Sequence, residues 1–353
     1  MLTFRPYLLI FVILFFSIIC KSQSADSLHP PHPLTITGAI DAYYRYDFAR
    51  TADNDLTAFT HSHNQFNLGM ANIKVEHKTT RVDMVADLAF GPREEVYAYN
   101  DKGITQAIKQ LYISYSPATW LKFTAGTWAT HLCYESPDAA ANRNYSMSYL
   151  FSNDPFSHTG IKAELTFGRN GLMIGLANPC DYRSIPSDRH NNKNIIAQYS
   201  YTLADNTKFC LNYVGGRDVD NNHAQQVDLV VTAKASPQVS FGFNGTINQS
   251  SLATDKYSTN YRWWGTVLYC NLDPKSWLGF TLRTEYFNDA QGVKLPAPAN
   301  IFAATLSTNF RIDGFTLIPE WRVDNANTPI FFHADGSPAH TAGNFLLAVV
   351  YAF

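Results

Sequence analysis

Charged residues are scarce in this sequence, cysteine is rare, and no long apolar run occurs after the first twenty residues. Asp, Glu, Lys and Arg make up 16% of the 353 residues, against about 25% in average soluble domains. The mean hydropathy is nevertheless slightly negative, at -0.18, which argues against a bundle of membrane-spanning helices. Any crossing of a membrane would therefore have to be made with strands.

The sequence lacks the residue spacings and motifs of the common metal, nucleotide-binding and catalytic sites. No CxxC pair and no histidine at zinc-ligand spacing occurs, so no metal site is predicted. A disulfide between Cys133 and Cys180 is left open, as an oxidising compartment would allow it. The sequence has no GxSxG, P-loop, GxGxxG or HExxH motif. We therefore expect no enzyme activity, no catalytic residue and no cofactor.

The N-terminus carries a secretion signal. Arg5 precedes an apolar run from Tyr7 to Cys20, which is shorter than the ~20 residues a spanning helix needs. We predict a signal peptide over residues 1–22, a Pro-rich periplasmic leader over 23–33, and a single domain over 34–353. Removing Arg5 and Lys21 from the 27 basic residues leaves 25 against 29 acidic ones, a formal charge of -4. This mild acidity argues against a nucleic-acid partner.

The chain ends in a strand with one continuous apolar face. Alternate residues of a strand share a face, and the alternate residues from Phe345 to Phe353 are all aliphatic or aromatic. Leu34 to Phe48 alternates in the same way over about 15 residues, enough to span a bilayer when tilted. A signal peptide with such strands predicts a barrel in the bacterial outer membrane.

The rest of the chain repeats short turns and long loops. Seven tight turns rich in Gly, Pro, Asn or Asp alternate with eight longer polar segments. This rhythm predicts an all-β, transmembrane antiparallel barrel of about 16 strands, with short periplasmic turns and long extracellular loops. One strand changes phase between Met70 and Ile73, which requires a β-bulge.

Three segments carry a resemblance to a known family: Ala125–Leu165, Leu282–Gly292 (LRTEYFNDAQG) and Pro319–Asn327 (PEWRVDNAN). With the terminal strand, they resemble the bacterial outer-membrane family of β-barrel porins. The resemblance implies a pore-forming barrel whose third outer loop, here residues 131–158, folds into the lumen and narrows it. The segment between Gly91 and Gly103 has no counterpart that we can place.

A barrel of this size encloses an aqueous channel, and polar residues on the inner faces are candidates for its lining. We expect the loop acids to face basic wall residues such as Arg45, Arg283 and Arg322; the alternative is a loop that packs at the barrel mouth with solvated charges. Acids and bases spaced two apart on the wall could form a cross-strand ladder, or pair only to neutralise the wall. The predicted pore-lining residues are Asp41, Tyr43, Arg45, Asp228, Lys234, Arg283, Glu285, Glu320, Arg322 and Asp324. The predicted constriction-loop residues are Glu135, Asp138, Arg143, Tyr145 and Asp154.

We predict passive diffusion of small hydrophilic solutes or ions through this lumen. The alternatives are a substrate-specific channel, for an anion or a sugar, and a barrel that is only structural or adhesive. Inner-face aromatics would favour sugars, but Tyr43, Tyr112 and Trp264 are too few to decide. The expected partners are outer-membrane lipid, the solutes, and the barrel-assembly machinery, through the terminal strand ending at Phe353; association of copies is left open.

Overall fold

The computed structural model describes residues 34–204, 206–254 and 259–353. The predicted signal peptide and leader, residues 1–33, lie outside these described residues. Among the described residues, no helix is long and apolar enough to cross a membrane.

Sixteen antiparallel strands close into one barrel in the described part of the chain. Each strand pairs with its neighbour in sequence, and the last pairs with the first. The barrel strands are β1 (Leu34–Asp47), β2 (Gln65–Lys78), β3 (Val82–Phe90), β4 (Ile108–Ala118), β5 (Leu121–Ala129), β6 (Ser157–Phe167), β7 (Asn170–Ala177), β8 (Asn194–Ala204), β9 (Thr207–Arg217), β10 (His223–Lys234), β11 (Val239–Ser251), β12 (Tyr261–Lys275), β13 (Leu278–Asp289), β14 (Ala299–Ile312), β15 (Phe315–Ala326) and β18 (Thr341–Ala352). This confirms the predicted fold class and strand number.

The loops carry the remaining elements. Helix α1 (Pro92–Tyr97) and a 3-10 turn (Gly103–Ala107) lie between β3 and β4. A second 3-10 turn (Ala139–Ala141) and helix α2 (Tyr149–Asn153) lie between β5 and β6. In the last loop, β16 (Phe331–Phe332) and β17 (Pro338–Ala339) form a separate two-stranded sheet.

Alternation sorts the side chains of each strand into an outer apolar face and an inner face. In the terminal strand, Val349, Tyr351 and Phe353 are exposed on the outside, whereas Leu346, Ala348 and Val350 are buried inside. The barrel closes between β1 and β18, where Ile40 pairs with Tyr351 and Ala42 pairs with Val349. The outward residues have no protein to pack against, which is the arrangement that lipid contact requires.

The predicted bulge lies in β2. Ile40 pairs with Ala71 but Ala42 pairs with Leu68, so two residues of β2, Gly69 and Met70, face the single residue Asp41. The backbone N–H of Met70 donates to Asp41 Oδ1 at 3.2 Å. A Cβ on Gly69 would lie 1.6 Å from Asp41 Oδ2, so only glycine leaves room for this carboxylate.

Two details of the expected arrangement were wrong. The turn expected at Asp273–Lys275 lies later, because β12 continues to Lys275 and β13 begins at Leu278. Trp264, expected on the inner face, is 38% exposed on the outside, with its ring 5.4 Å from that of Tyr286. Its neighbour Trp263 is fully buried inside. The register of β12 is therefore one residue away from the expected one.

Candidate functional site

The connection between β5 and β6, residues 130–156, is folded inside the barrel. Its backbone N–H groups donate to inward-facing side chains of distant strands: Cys133 to Asp228 on β10 at 3.2 Å, and Tyr134 to Asn244 on β11 at 3.2 Å. Further along, the Asn144 amide donates to Ser307 Oγ on β14 at 2.6 Å. The loop thus crosses the lumen from β5 to the opposite wall, as the resemblance implied, and does not rest on the barrel mouth.

The predicted charge ladder exists, but it skips a strand. Arg322 on β15 pairs with Asp324 at 2.8 Å and reaches Glu285 on β13 at 3.2 Å. Glu285 also pairs with Arg283 at 3.5 Å. The intervening strand β14 presents only Ala303 and Thr305 inward at this height. Because these side chains are short, the charges of β13 and β15 meet above them.

The ladder binds the backbone of the loop. Glu320 accepts from the N–H groups of Tyr145 at 2.9 Å and Ser146 at 3.2 Å. Glu285 accepts from the N–H of Tyr149 at 2.7 Å. Arg283 donates to Ser146 O at 2.6 Å. Arg322 donates to Met147 O at 2.7 Å. Residues 145–149, here called the clamped segment, therefore have their polar backbone groups satisfied by wall carboxylates and guanidiniums, which is what burial demands.

Glu135 and Arg143 of the loop each pair with a charged residue of the wall. Glu135 accepts from Arg283 Nη1 at 2.7 Å and from the N–H of Ser148 at 2.8 Å. Arg143 makes a two-pronged contact with Asp273 of β12, at 2.8 and 2.6 Å. Of the three arginines expected to face loop acids, only Arg283 does so.

A second loop acid, Asp138, pairs with a lysine that sequence reasoning missed. This lysine, Lys109 at the start of β4, also pairs with Asp87 of β3 at 3.2 Å. Lys109 is fully buried, so the two carboxylates neutralise a charge that would otherwise be costly inside the lumen. A β-bulge in β4, between the pairings of Asp87 and Leu88, places Lys109 inward, which alternation alone would not have revealed.

Tyr145 connects the loop to the first strand and to α1. Its hydroxyl donates to Asp41 Oδ2 at 2.5 Å, and its ring lies 5.3 Å from that of Tyr43. Arg93 of α1 lies over the Tyr145 ring at 4.9 Å and 3.8 Å from Asp41. Arg93 stands in the segment that had no recognisable pattern, so no sequence signal pointed to it.

Arg45 holds the first outer loop and has no partner in the loop between β5 and β6 among the described residues. It donates to Ser62 O at 2.5 Å and pairs with Asp47 at 3.4 Å and Asp55 at 3.7 Å. The outer half of β1 therefore fixes residues 48–64 against the inner wall.

Asp154 lies buried near the end of the loop. It accepts from Cys133 Sγ at 2.9 Å and from Gln226 Nε2 at 2.5 Å. Burial, reinforced by the nearby charge of Asp228, raises the pKa of Asp154 to about 8. Cys133 and Cys180 are both free thiols, so the disulfide left open above does not form.

Lys234 differs from the other predicted pore-lining residues, because it alone is exposed. It belongs to an inward-facing group near the turn end of the wall, in which Lys208 and Lys234 are exposed and Lys122 and Glu164 are half-buried. Lys122 pairs with Glu164 at 3.1 Å. Lys208 and Lys234 make no ion pair with any described residue. Lys122, Glu164 and Lys208 lie on polar alternating faces, so the sequence contained the signal for them.

A polar cavity of about 420 Å³ lies on the other side of the loop, toward the outer loops. Its walls include Tyr99, Asp154, Asn194, Val214 and Lys294. Burial, opposed in part by backbone N–H groups, raises the pKa of the neighbouring Asp181 to about 6. The described residues include no group of three or more His, Cys, Asp or Glu side chains that could hold a metal ion.

Comparison with known structures identifies the architecture. The fold is similar to an anion-selective porin from Comamonas acidovorans, at a TM-score of 0.62 and 9% identity over 91% of this chain and 99% of that one. It is similar to OmpT, an outer membrane protein of Vibrio cholerae, at a TM-score of 0.60 and 9% identity over 93% of this chain and 100% of that one. It is also similar to Acinetobacter baumannii OccAB3, at a TM-score of 0.53 and 11% identity over 91% of this chain and 99% of that one. At such identities the likeness establishes the fold.

The family follows from the sequence itself. The family model described as "Putative beta-barrel porin-2, OmpL-like" matches residues 33–353, which is the whole of the described barrel. Comparison with curated proteins found no match. The matched family places the protein in the bacterial outer membrane, in contact with its lipid. The chain therefore belongs to the OmpL-like family of outer-membrane β-barrel porins.

Proposed function

We propose that this protein lets small hydrophilic solutes and ions diffuse passively across the outer membrane. The observation that carries the proposal is the polarity of the interior: solvent-exposed charges line the turn end of the wall, and a polar cavity lies below the outer loops. A barrel with an apolar exterior and a wet, charged interior suits a channel. The activity proposed is passage, without chemical change of the solute.

In this proposal the predicted site residues divide into two roles. The exposed Lys208 and Lys234, with the half-buried Lys122 and Glu164, contact the solute. The remaining predicted wall residues hold the outer loops and the clamped segment, so they set the size of the passage. The constriction is therefore fixed in position by charges that are themselves buried.

An anion-preferring channel is the second candidate, and the wall charge favours it. Lys208 and Lys234 are exposed at the turn end, beside the half-buried Lys122 and Glu164. An excess of positive charge on a pore wall raises the local anion concentration. One of the structurally similar proteins is an anion-selective porin, although its likeness to this chain is one of fold.

Conductance of the purified barrel in planar bilayers tests both candidates. We expect weak anion selectivity in a KCl gradient, and a shift of the reversal potential toward cation preference in Lys208→Gln with Lys234→Gln. Lys275→Gln, an exposed lysine at the end of β12, serves as the control and should leave the potential unchanged. A barrel that stays silent even after removal of the clamped segment would contradict the channel proposal and leave the structural or adhesive alternative.

We also propose two partners. The exposed terminal Phe353, beside the closing seam with β1, is the element we expect the barrel-assembly machinery to recognise; its deletion should reduce membrane insertion in cells.

On the outer wall, a groove of about 670 Å³ is lined by Ile113, Phe123, Ala125, Ile161, Ile174 and Leu176. Its small, recessed Ala125 and Ala163 suit association with another copy; native mass spectrometry of the detergent complex tests this.

A further inference from the structure

An apolar cluster lies on the inner wall where the start of the loop meets β5, β7, β8 and β9. Its members are inward-facing residues of β5, β7, β8 and β9 and one residue of the loop, and all are buried: Trp128, Leu132, Met173, Ala177, Ile196 and Val214. Most other inner-wall residues near this height are polar, including Asn212, Asp228 and Asn244. A patch of aliphatic and aromatic side chains facing inward therefore requires an explanation beyond satisfying the wall.

The cluster lies between the polar cavity and the charged residues near the turn end of the wall. On its outer side, Val214 is also part of the wall of the polar cavity, together with Asn194 and Cys180. On its inner side, Lys162 Nζ lies 5.0 Å from the centre of the Trp128 ring, and Lys162 pairs with the half-buried Glu164 at 3.7 Å. Solute moving along this wall from the cavity to the turn end must pass these apolar side chains.

The strands are built to bring the cluster together. Ile196 on β8 is paired directly with Val214 on β9 and with Gly175 on β7. A Cβ on Gly175 would lie 2.9 Å from Ile196 Cγ1 and 2.9 Å from Lys162 Cβ. Because Gly175 has no side chain, Ile196 can lie over β7 and approach the β6 wall. Leu132 then covers the group from the loop, with His131 held to Tyr213 O at 3.1 Å.

We propose that this cluster is a hydrophobic gate, which determines what passes between the polar cavity and the charged turn end of the wall. The inference rests on the proposed channel function. A narrow apolar segment conducts poorly, because water leaves it readily and an ion entering it loses hydration without gaining a partner. The clamped segment fills the lumen beside β13 and β15, so the proposed passage runs past this cluster on the opposite wall.

The test compares two adjacent isoleucines that face opposite sides of β8. Ile196→Ser shortens the gate and makes it polar, whereas Ile195→Ser changes the lipid-facing neighbour, which is 52% exposed. In planar bilayers we expect Ile196→Ser to raise the unitary conductance several-fold and Ile195→Ser to leave it unchanged. Ile196→Leu, which keeps an apolar side chain of similar volume, should conduct like the unaltered protein. Val214→Ser gives the same test from β9 if Ile196→Ser does not fold, as judged by heat-modifiable mobility in gels.

Two results would overturn the gate. If Ile196→Ser and Val214→Ser fold but conduct no better than Ile195→Ser, while removal of the clamped segment opens the barrel, the passage lies elsewhere and the channel function stands. If the unaltered barrel already conducts like the serine variants, the cluster is not limiting. If none of these variants conducts, including the one without the clamped segment, the channel function fails as well, and the gate with it.

Discussion

Replacing Arg283 by methionine should release the clamped segment from the wall. Arg283 is fully buried and donates to Glu135 at 2.7 Å, to Ser146 O at 2.6 Å and to Thr305 Oγ1 at 3.1 Å. Methionine keeps much of the volume but leaves the Glu135 carboxylate buried beside Glu285 without this cation. Removing one partner of a buried ion pair typically costs about 3–5 kcal/mol. We expect a loss of that size in the free energy of unfolding.

The assay is equilibrium unfolding of the barrel in lipid vesicles by guanidinium, followed by tryptophan fluorescence. Arg189→Met is the matched control, because Arg189 pairs with Asp220 while both are about half exposed; an exposed pair contributes about 0–1 kcal/mol. Glu135→Gln in the Arg283→Met background should recover part of the loss, with a coupling energy on the order of 1–3 kcal/mol. The reasoning is refuted if Arg283→Met costs no more than Arg189→Met, or if the two changes at Arg283 and Glu135 are additive.

Three further predictions concern the same loop. Tyr145→Phe removes the 2.5 Å hydrogen bond to Asp41 and should cost about 1.5–3 kcal/mol by the same unfolding assay; a loss below that of Arg189→Met would contradict the contact. Gly69→Ala places a Cβ where the Asp41 carboxylate lies. It should therefore lower the free energy of unfolding more than the control Gly336→Ala, whose Cβ would meet open space and which strains only a positive φ. Equal losses in the two variants would argue against the bulge. For Asp154, burial raises the folded-state pKa to about 8 from 3.8, so the folded protein binds this proton more tightly than the unfolded chain does. The stabilisation contributed by the protonated Asp154 carboxyl is complete below about pH 4 and is lost as the pH rises through 8. Over this range the free energy of unfolding falls by about 1.4 kcal/mol per pH unit. Asp154→Asn should flatten this part of the stability profile, and an unchanged profile would refute the assignment.

Much of the architecture could be predicted because it depends on the two-residue period with which side chains alternate along a β-strand. The apolar outer face of β18, the tight turns and the bulge near Gly69 each left a local signal in the order of residues. The inner ladder of Arg283, Glu285, Arg322 and Asp324 was also visible, since all four lie on polar faces. Local alternation specifies which side of the wall a residue occupies.

What could not be predicted depends on contacts between distant segments. Alternation gives no information on what lies inside, so the ladder looked like a solvent-facing wall and proved to be the binding surface for residues 145–149. Lys109 is displaced inward by a bulge, and Arg93 lies in a short helix without a pattern. The Trp263–Trp264 pair shows a further limit, as two adjacent tryptophans give no indication of which one faces lipid.

The position of the loop inside the lumen is tested most directly by a disulfide between loop and wall. In a background without the native cysteines, Asn144→Cys and Ser307→Cys replace two side chains whose polar atoms are 2.6 Å apart. We predict that they oxidise to a disulfide in the membrane-inserted barrel, seen as a reductant-sensitive change in gel mobility. Asn144→Cys with Leu306→Cys, where the second cysteine faces lipid on the same strand, should not form one. Absence of the first disulfide, or equal formation of both, would contradict a loop held in the lumen.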